Sequence, residues 1–122
     1  MQYMLLIYND ERAWAAMPEA ERGAVVREYF ALTEELRAAG AYVAGAPLQP
    51  TETASTIRLR DGAKLVTDGP FAETKEQLGG YFLVDVESEE EAREWAAEIP
   101  AARYGAVEVR PVLPVATEAP TG

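Results

Sequence analysis

At 122 residues the chain has room for one domain, and its 48% apolar and 26% charged residues match ordinary globular composition rather than that of a disordered segment. A formal charge of −10 without any run of Lys or Arg disfavours direct nucleic-acid binding, because no basic footprint is present to displace counterions from phosphates. Neither cysteine nor histidine occurs, which removes disulfides, thiol nucleophiles, thiolate metal centres, imidazole ligands and Ser/His/Asp triads.

Tyr3 to Tyr8 is a short, almost continuous apolar run that stops at Asn9-Asp10, as expected of a strand buried on both faces. It has no basic leader, and no stretch approaches the ~20 apolar residues that span a bilayer, so a cytoplasmic chain without membrane contact is expected. A loop carrying Trp14 follows. Pro18 suits the first position of a helix, with Glu19 and Glu21 complementing its dipole. Val25, Tyr29, Leu32 and Leu36 then recur at helical spacing to give one apolar stripe. Gly23 loosens the opening turns and Gly40 supplies the stop.

The segment 41–48, broken by Gly45 and Pro47, reads as an irregular edge strand. Segments 56–60 and 63–67 alternate on either side of Asp61-Gly62, which predicts a β-hairpin closed by a type I′ turn. Asp68 to Gly80 resists regular assignment and reads as a loop of about a dozen residues, a length that tends to be functional or disordered, with Phe71 and Leu78 as anchors against disorder. Tyr81 to Val86 is a second apolar strand. Ser88 and Glu91 form a capping box for a helix bearing Ala92, Trp95, Ala96 and Ile99, which Pro100 ends. Ala106 to Val112 is the last strand, so the domain covers 1–113 and the tail 114–122 is expected to fray.

Strand, helix, strand, inserted hairpin, strand, helix, strand is a split βαβ order, an α+β fold with both helices on one side of an antiparallel sheet. The two most apolar strands fall in the middle. Since two helices cover only one side, the other is expected to be buried by a second copy in a homodimer, the alternative being that the hairpin or tail folds back over it.

The segment Val66-Thr67-Asp68-Gly69-Pro70-Phe71-Ala72-Glu73-Thr74-Lys75-Glu76-Gln77-Leu78-Gly79-Gly80-Tyr81 strongly resembles the signature of DGPF-type proteins of the YCII-related family. The segments 3–8, 33–40 with Pro47-Leu48, and 100–111 fit the same family, so the resemblance covers nearly the whole chain. It implies a ferredoxin-like, dimeric α+β barrel and, for some relatives, a regulatory setting beside extracytoplasmic-function sigma factors. A His/Asp pair proposed as a catalytic centre in that family has no counterpart here beyond Asp68, because the chain lacks histidine.

Asp68-Gly69-Pro70 has two readings. As turn chemistry, Asp accepts backbone N–H bonds, Gly takes positive φ and Pro fixes the next dihedral. At the mouth of a cleft, Asp68 would act as a general base, with Glu73, Lys75 and Glu76 nearby as further carboxylates and an electrostatic clamp. The double glycine reads as a turn or as room for a ligand. Tyr8, Arg58, Phe71 and Tyr81 are candidate ligand-binding residues, with Tyr29 and Arg110 beside them, because phenols and guanidinium groups near an apolar sheet orient ligands. Trp14 and Trp95 are assigned to the core or dimer edge.

No phosphate loop, dinucleotide fingerprint or metal cluster is encoded, so no cofactor is expected. Three functions follow from these residues: a small-molecule-binding protein with a regulatory role, a cofactor-independent isomerase or lyase using Asp68 or Glu73 as base, and an acidic module that binds a basic protein such as a sigma factor.

Overall fold

A computed structural model describes residues 1–115. Along the chain come β1 (Gln2–Asn9), α1 (Glu11–Ala16), α2 (Glu19–Ala38), β2 (Tyr42–Pro47), β3 (Ser55–Arg60), β4 (Ala63–Asp68), β5 (Gln77–Asp85), α3 (Glu89–Glu98) and β6 (Ala106–Pro111). Short 3₁₀ turns at Thr51–Thr53 and Pro100–Arg103 join them. Four strands make one antiparallel sheet in the order β2-β5-β1-β6, while β3 and β4 form a separate ribbon. This is the expected α+β, ferredoxin-like split βαβ order with an inserted hairpin.

Period-two alternation divides β1 between two environments. Tyr3, Leu5 and Ile7 are buried, whereas Met4, Leu6 and Tyr8 point the other way and are only half-buried. In β5, Phe82 and Val84 are buried and Tyr81 and Leu83 are not. The expectation that the first strand is buried on both faces therefore fails for the single chain: its apolar run includes a face that nothing among the described residues covers.

The core lies on the helix side. Leu32 and Leu36 of α2, Ala92 and Ala96 of α3, and Ile99 pack with Tyr3, Leu5, Ile7, Phe82 and Val84. Leu5, Leu36 and Ile99 are among the largest fully buried side chains, and burial of each contributes ~1.5–3 kcal/mol. Trp95 packs partly against this core.

Several boundaries differ from the sequence reading for local reasons. The segment around Trp14 is helical, because Asp10 caps it by accepting the Arg12 N–H at 2.9 Å. Pro18 occupies the cap of α2 rather than its first turn, and the helix runs through Gly23 without interruption. Its end is a Schellman motif. Gly40 sits at φ 71°, the Gly40 N–H reaches the Arg37 carbonyl, and the Ala41 N–H reaches that of Leu36. In α3 the Glu91 N–H donates to Ser88 Oγ at 3.1 Å, and the Glu91 carboxylate accepts from the Glu87 N–H, one residue before the expected partner.

Asp61 and Gly62 both have positive φ, 51° and 78°, as a type I′ turn requires. The loop is shorter than predicted, since 77–80 belong to β5. The double glycine lies within β5 rather than in a turn, and a Cβ at Gly80 would stand 2.9 Å from the Ala46 carbonyl oxygen, so its absence admits the β2 backbone. At Gly105 a Cβ would overlap the Tyr8 carbonyl oxygen. Of the predicted tail 114–122, all beyond 115 lies outside the described residues.

Gly105→Ala is expected to lower stability by about 1–3 kcal/mol, because backbone on both sides of the contact must shift. Gly79→Ala should cost less, since its Cβ would meet only the tip of the Asn9 side chain. Urea unfolding of both variants measures the difference, and equal midpoints would refute it.

Candidate functional site

The uncovered sheet face is the surface to which the strand register brings chemistry. Leu6 stands opposite Tyr81 on one side and Glu108 on the other, and Met4 stands opposite Leu83 and Arg110. A bulge at Gly79 pairs Tyr8 with Leu78 instead, which carries that leucine onto the same face. An apolar centre thus meets a polar border along β6.

That border is a connected line of three side chains. Tyr8 donates its hydroxyl hydrogen to Glu108 Oε1 over a long 3.3 Å, and Arg110 donates to Glu108 Oε2 through Nε at 3.1 Å and through Nη2. Burial pushes the Tyr8 phenol above its ordinary pKa, the Glu108 charge and hydrogen bond push it further, and Arg110 offsets part of the rise. Tyr8 is therefore a neutral donor near pH 7, not a phenolate base. The Glu108 contact raises Arg110 in turn, and its guanidinium has five N–H donors of which Glu108 engages two.

The sequence candidates separate into three places. Tyr8 and Tyr81 share the uncovered face, on adjacent strands. Arg58 lies over the Phe71 ring at 5.1 Å from its centroid, a cation–π contact between the ribbon and the following loop. Asp68, Glu73 and Lys75 are exposed, and among the described residues none of their side chains makes a hydrogen bond or ion pair.

Neutral groups organise the loop. Gly69, at φ 101°, donates its N–H to the Ala54 carbonyl at 2.7 Å and accepts from Thr56 Oγ1 at 3.0 Å. Thr74 Oγ1 donates to the Glu76 carbonyl, and Gln77 Nε2 to that of Thr74. Gln77 Oε1 also accepts the Glu11 N–H at 3.0 Å, while the Glu11 carboxylate takes the Thr51 N–H and hydroxyl, both at 2.8 Å. Glu11 thus ties the start of α1 to β5 and to the segment after β2.

Sequence reasoning passed over Glu108 and Glu11. For Glu108 a signal was available: it shares strand parity with Arg110, so the alternation of the last strand puts both on one face. For Glu11 there was none, because its partners are 40 and 66 residues away.

A second polar cluster joins α2 to the 3₁₀ turn after α3. Arg103 pairs with Glu28 at 2.6 Å beside Tyr29 and Tyr104. Burial, with the neighbouring Tyr104, pushes Tyr29 up to about 12. Two open concavities occur elsewhere. One of about 480 Å³ includes Gly40, Ala41, Asp85 and Glu87, and one of about 200 Å³ follows α3 along Glu91, Glu94, Trp95 and Glu98. Among the described residues no group of three acidic side chains is arranged to hold a metal ion, and no helix is long and apolar enough to cross a membrane.

A family model of the YCII-related domain matches residues 1–116, nearly the entire chain. The chain belongs to the YCII-related domain family. An uncharacterized protein of Rhizobium meliloti (strain 1021) is similar to it at 41% identity over 114 residues, covering 92% of each chain. In this YCII-related protein the Tyr8–Glu108–Arg110 line is the polar feature that the fold itself assembles on the uncovered face.

The Tyr29 shift has a definite sign for stability. A phenol whose pKa is raised on folding favours the folded state fully below its ordinary value of 10.0, and that contribution is lost as pH rises from there through about 12. Denaturant unfolding across that range should show stability falling more steeply for the wild type than for Tyr29→Phe. Parallel curves would contradict the assignment.

Proposed function

We propose that this YCII-related protein is a small-molecule-binding homodimer, with the ligand held on the uncovered sheet face beside Tyr8, Glu108 and Arg110. The observation that carries the reading is the polar line of those three side chains on a face otherwise formed by Met4, Leu6, Leu78, Tyr81 and Leu83. An apolar surface with a few convergent polar groups is the usual makeup of a ligand site.

Arg110 retains N–H donors after satisfying Glu108, and Tyr8 stays protonated. The complementary ligand has an apolar body and a carbonyl or carboxylate end. A second copy packed on this face would exclude water from it, and two-fold dimers are the commonest oligomers. The exposure of Asp68, Glu73 and Lys75 favours binding over turnover by a carboxylate base, because no neighbouring group among the described residues holds either carboxylate against a substrate proton. A regulatory role beside extracytoplasmic-function sigma factors, in the cytoplasm, belongs to the same proposal and rests on family resemblance.

Light scattering at micromolar concentration should give about twice the 13.3 kDa chain mass, and Leu6→Glu should return the monomer. A 13.3 kDa particle for the wild type overturns the dimer. With an anilinonaphthalene sulfonate dye as probe, Arg110→Gln is expected to weaken binding about tenfold, ~1.4 kcal/mol, while Asp68→Asn leaves it unchanged. The reverse pattern would move the site to the loop. A stoichiometric protein partner retained by both variants would make this an interaction module instead.

A further inference from the structure

The β3–β4 ribbon lacks the packing that its side chains call for. Among the described residues its strands pair only with each other, and the ribbon makes no extensive packing contact with the four-stranded sheet or with any helix. Cross-strand partners share a face, so Ile57, Val66 and Leu59 lie on one side with Lys64, while Leu65 lies on the other with Arg58 and Arg60. Ile57 is 60% exposed, Leu59 74% and Val66 56%. A lone two-stranded ribbon is at best marginally stable in water, and apolar side chains clustered at a surface mark an interaction site.

Charge narrows the choice of partner. Residues 55–68 hold three of the eleven cations and two of the twenty-one carboxylates, so a slightly basic ribbon extends from a body with eight cations and nineteen carboxylates. The stretch 87–98 alone carries six glutamates against one arginine. Glu91 is engaged by the Glu87 N–H and Glu89 by Arg93, but among the described residues Glu94 and Glu98 have no ion-pair partner. These two glutamates flank the partly buried Trp95 in the open concavity of about 200 Å³ along α3. One chain therefore carries both halves of a complementary contact, an apolar basic ribbon tip and an acidic groove with an aromatic floor.

We infer that the β3–β4 ribbon is an arm that grips a second copy of this chain, seating Leu59 and Lys64, which share one face, against Glu94, Trp95 and Glu98 of that copy's α3. The inference rests on the homodimer reading above and assigns it a contact distinct from the sheet face. In a two-fold pair the contact is made twice, each arm covering apolar surface that the single chain leaves in water.

The absence of cysteine makes the test direct. Leu59→Cys and Glu94→Cys chains, mixed in equal amounts under mild oxidation, are expected to give a covalent dimer of about twice 13.3 kDa that neither variant gives alone. Lys64→Glu should weaken self-association about tenfold, and mixing that variant with Glu94→Lys should restore it. A wild-type dimer that shows neither the mixed cross-link nor the charge effect overturns the arm while leaving the sheet-face dimer standing. Equal cross-linking in single-variant samples also overturns it, and a wild-type monomer overturns both readings.

Discussion

The antiparallel pairing of β1 with β5 on one side and β6 on the other governs the rest of this protein, because side chains along these strands alternate strictly in direction. Once the register is set, odd-numbered residues of β1 must enter the helix-covered core and even-numbered ones must leave it. Two helices cover one face of a four-stranded sheet. The uncovered face is therefore a consequence of the fold, and so is the meeting there of Met4, Leu6 and Tyr8 with residues from β5 and β6. No local sequence preference gathers those residues; the ladder of backbone hydrogen bonds does.

Close backbone approaches hold the register in place. Gly80 admits the edge strand β2 and Gly105 admits the backbone at Tyr8, so the ends of the sheet are fixed where a larger residue would push neighbouring strands apart. The bulge at Gly79 moves Leu78 onto the uncovered face beside Tyr8. Glu11 complements these contacts with hydrogen bonds to Gln77 and Thr51, tying down the segments on either side of the ribbon and loop. The segment 68–71 ends the ribbon through the backbone of Gly69, and its charged neighbours stay in water.

Charge is distributed as unevenly as apolar surface. The body of the chain is acidic and α3 is its richest stretch, whereas the ribbon carries a small excess of cations. Self-repulsion of a −10 chain opposes close association. The ribbon, with its small excess of cations, is the part of the chain where that repulsion is weakest.

Local signals in the sequence were enough for the order of elements, since each depends on neighbours a few residues apart: the Asp61-Gly62 turn, the Gly40 stop, the Ser88–Glu91 cap and the stripe containing Leu32 and Leu36. The split βαβ order and the existence of a face without a helix follow from that order. Two local features misled. Asp10 caps a short helix where a loop was expected, and Gly79-Gly80 looks like punctuation although both glycines lie within a strand. The site was legible only in part. Tyr8 and Tyr81 could be chosen as candidates by residue type, but their sharing a face, the bond from Tyr8 to Glu108 and the exposure of Asp68, Glu73 and Lys75 were decided by tertiary structure. Residue type and short-range periodicity are properties of adjacent residues, whereas a hydrogen bond across 100 positions exists only once the strand register is formed.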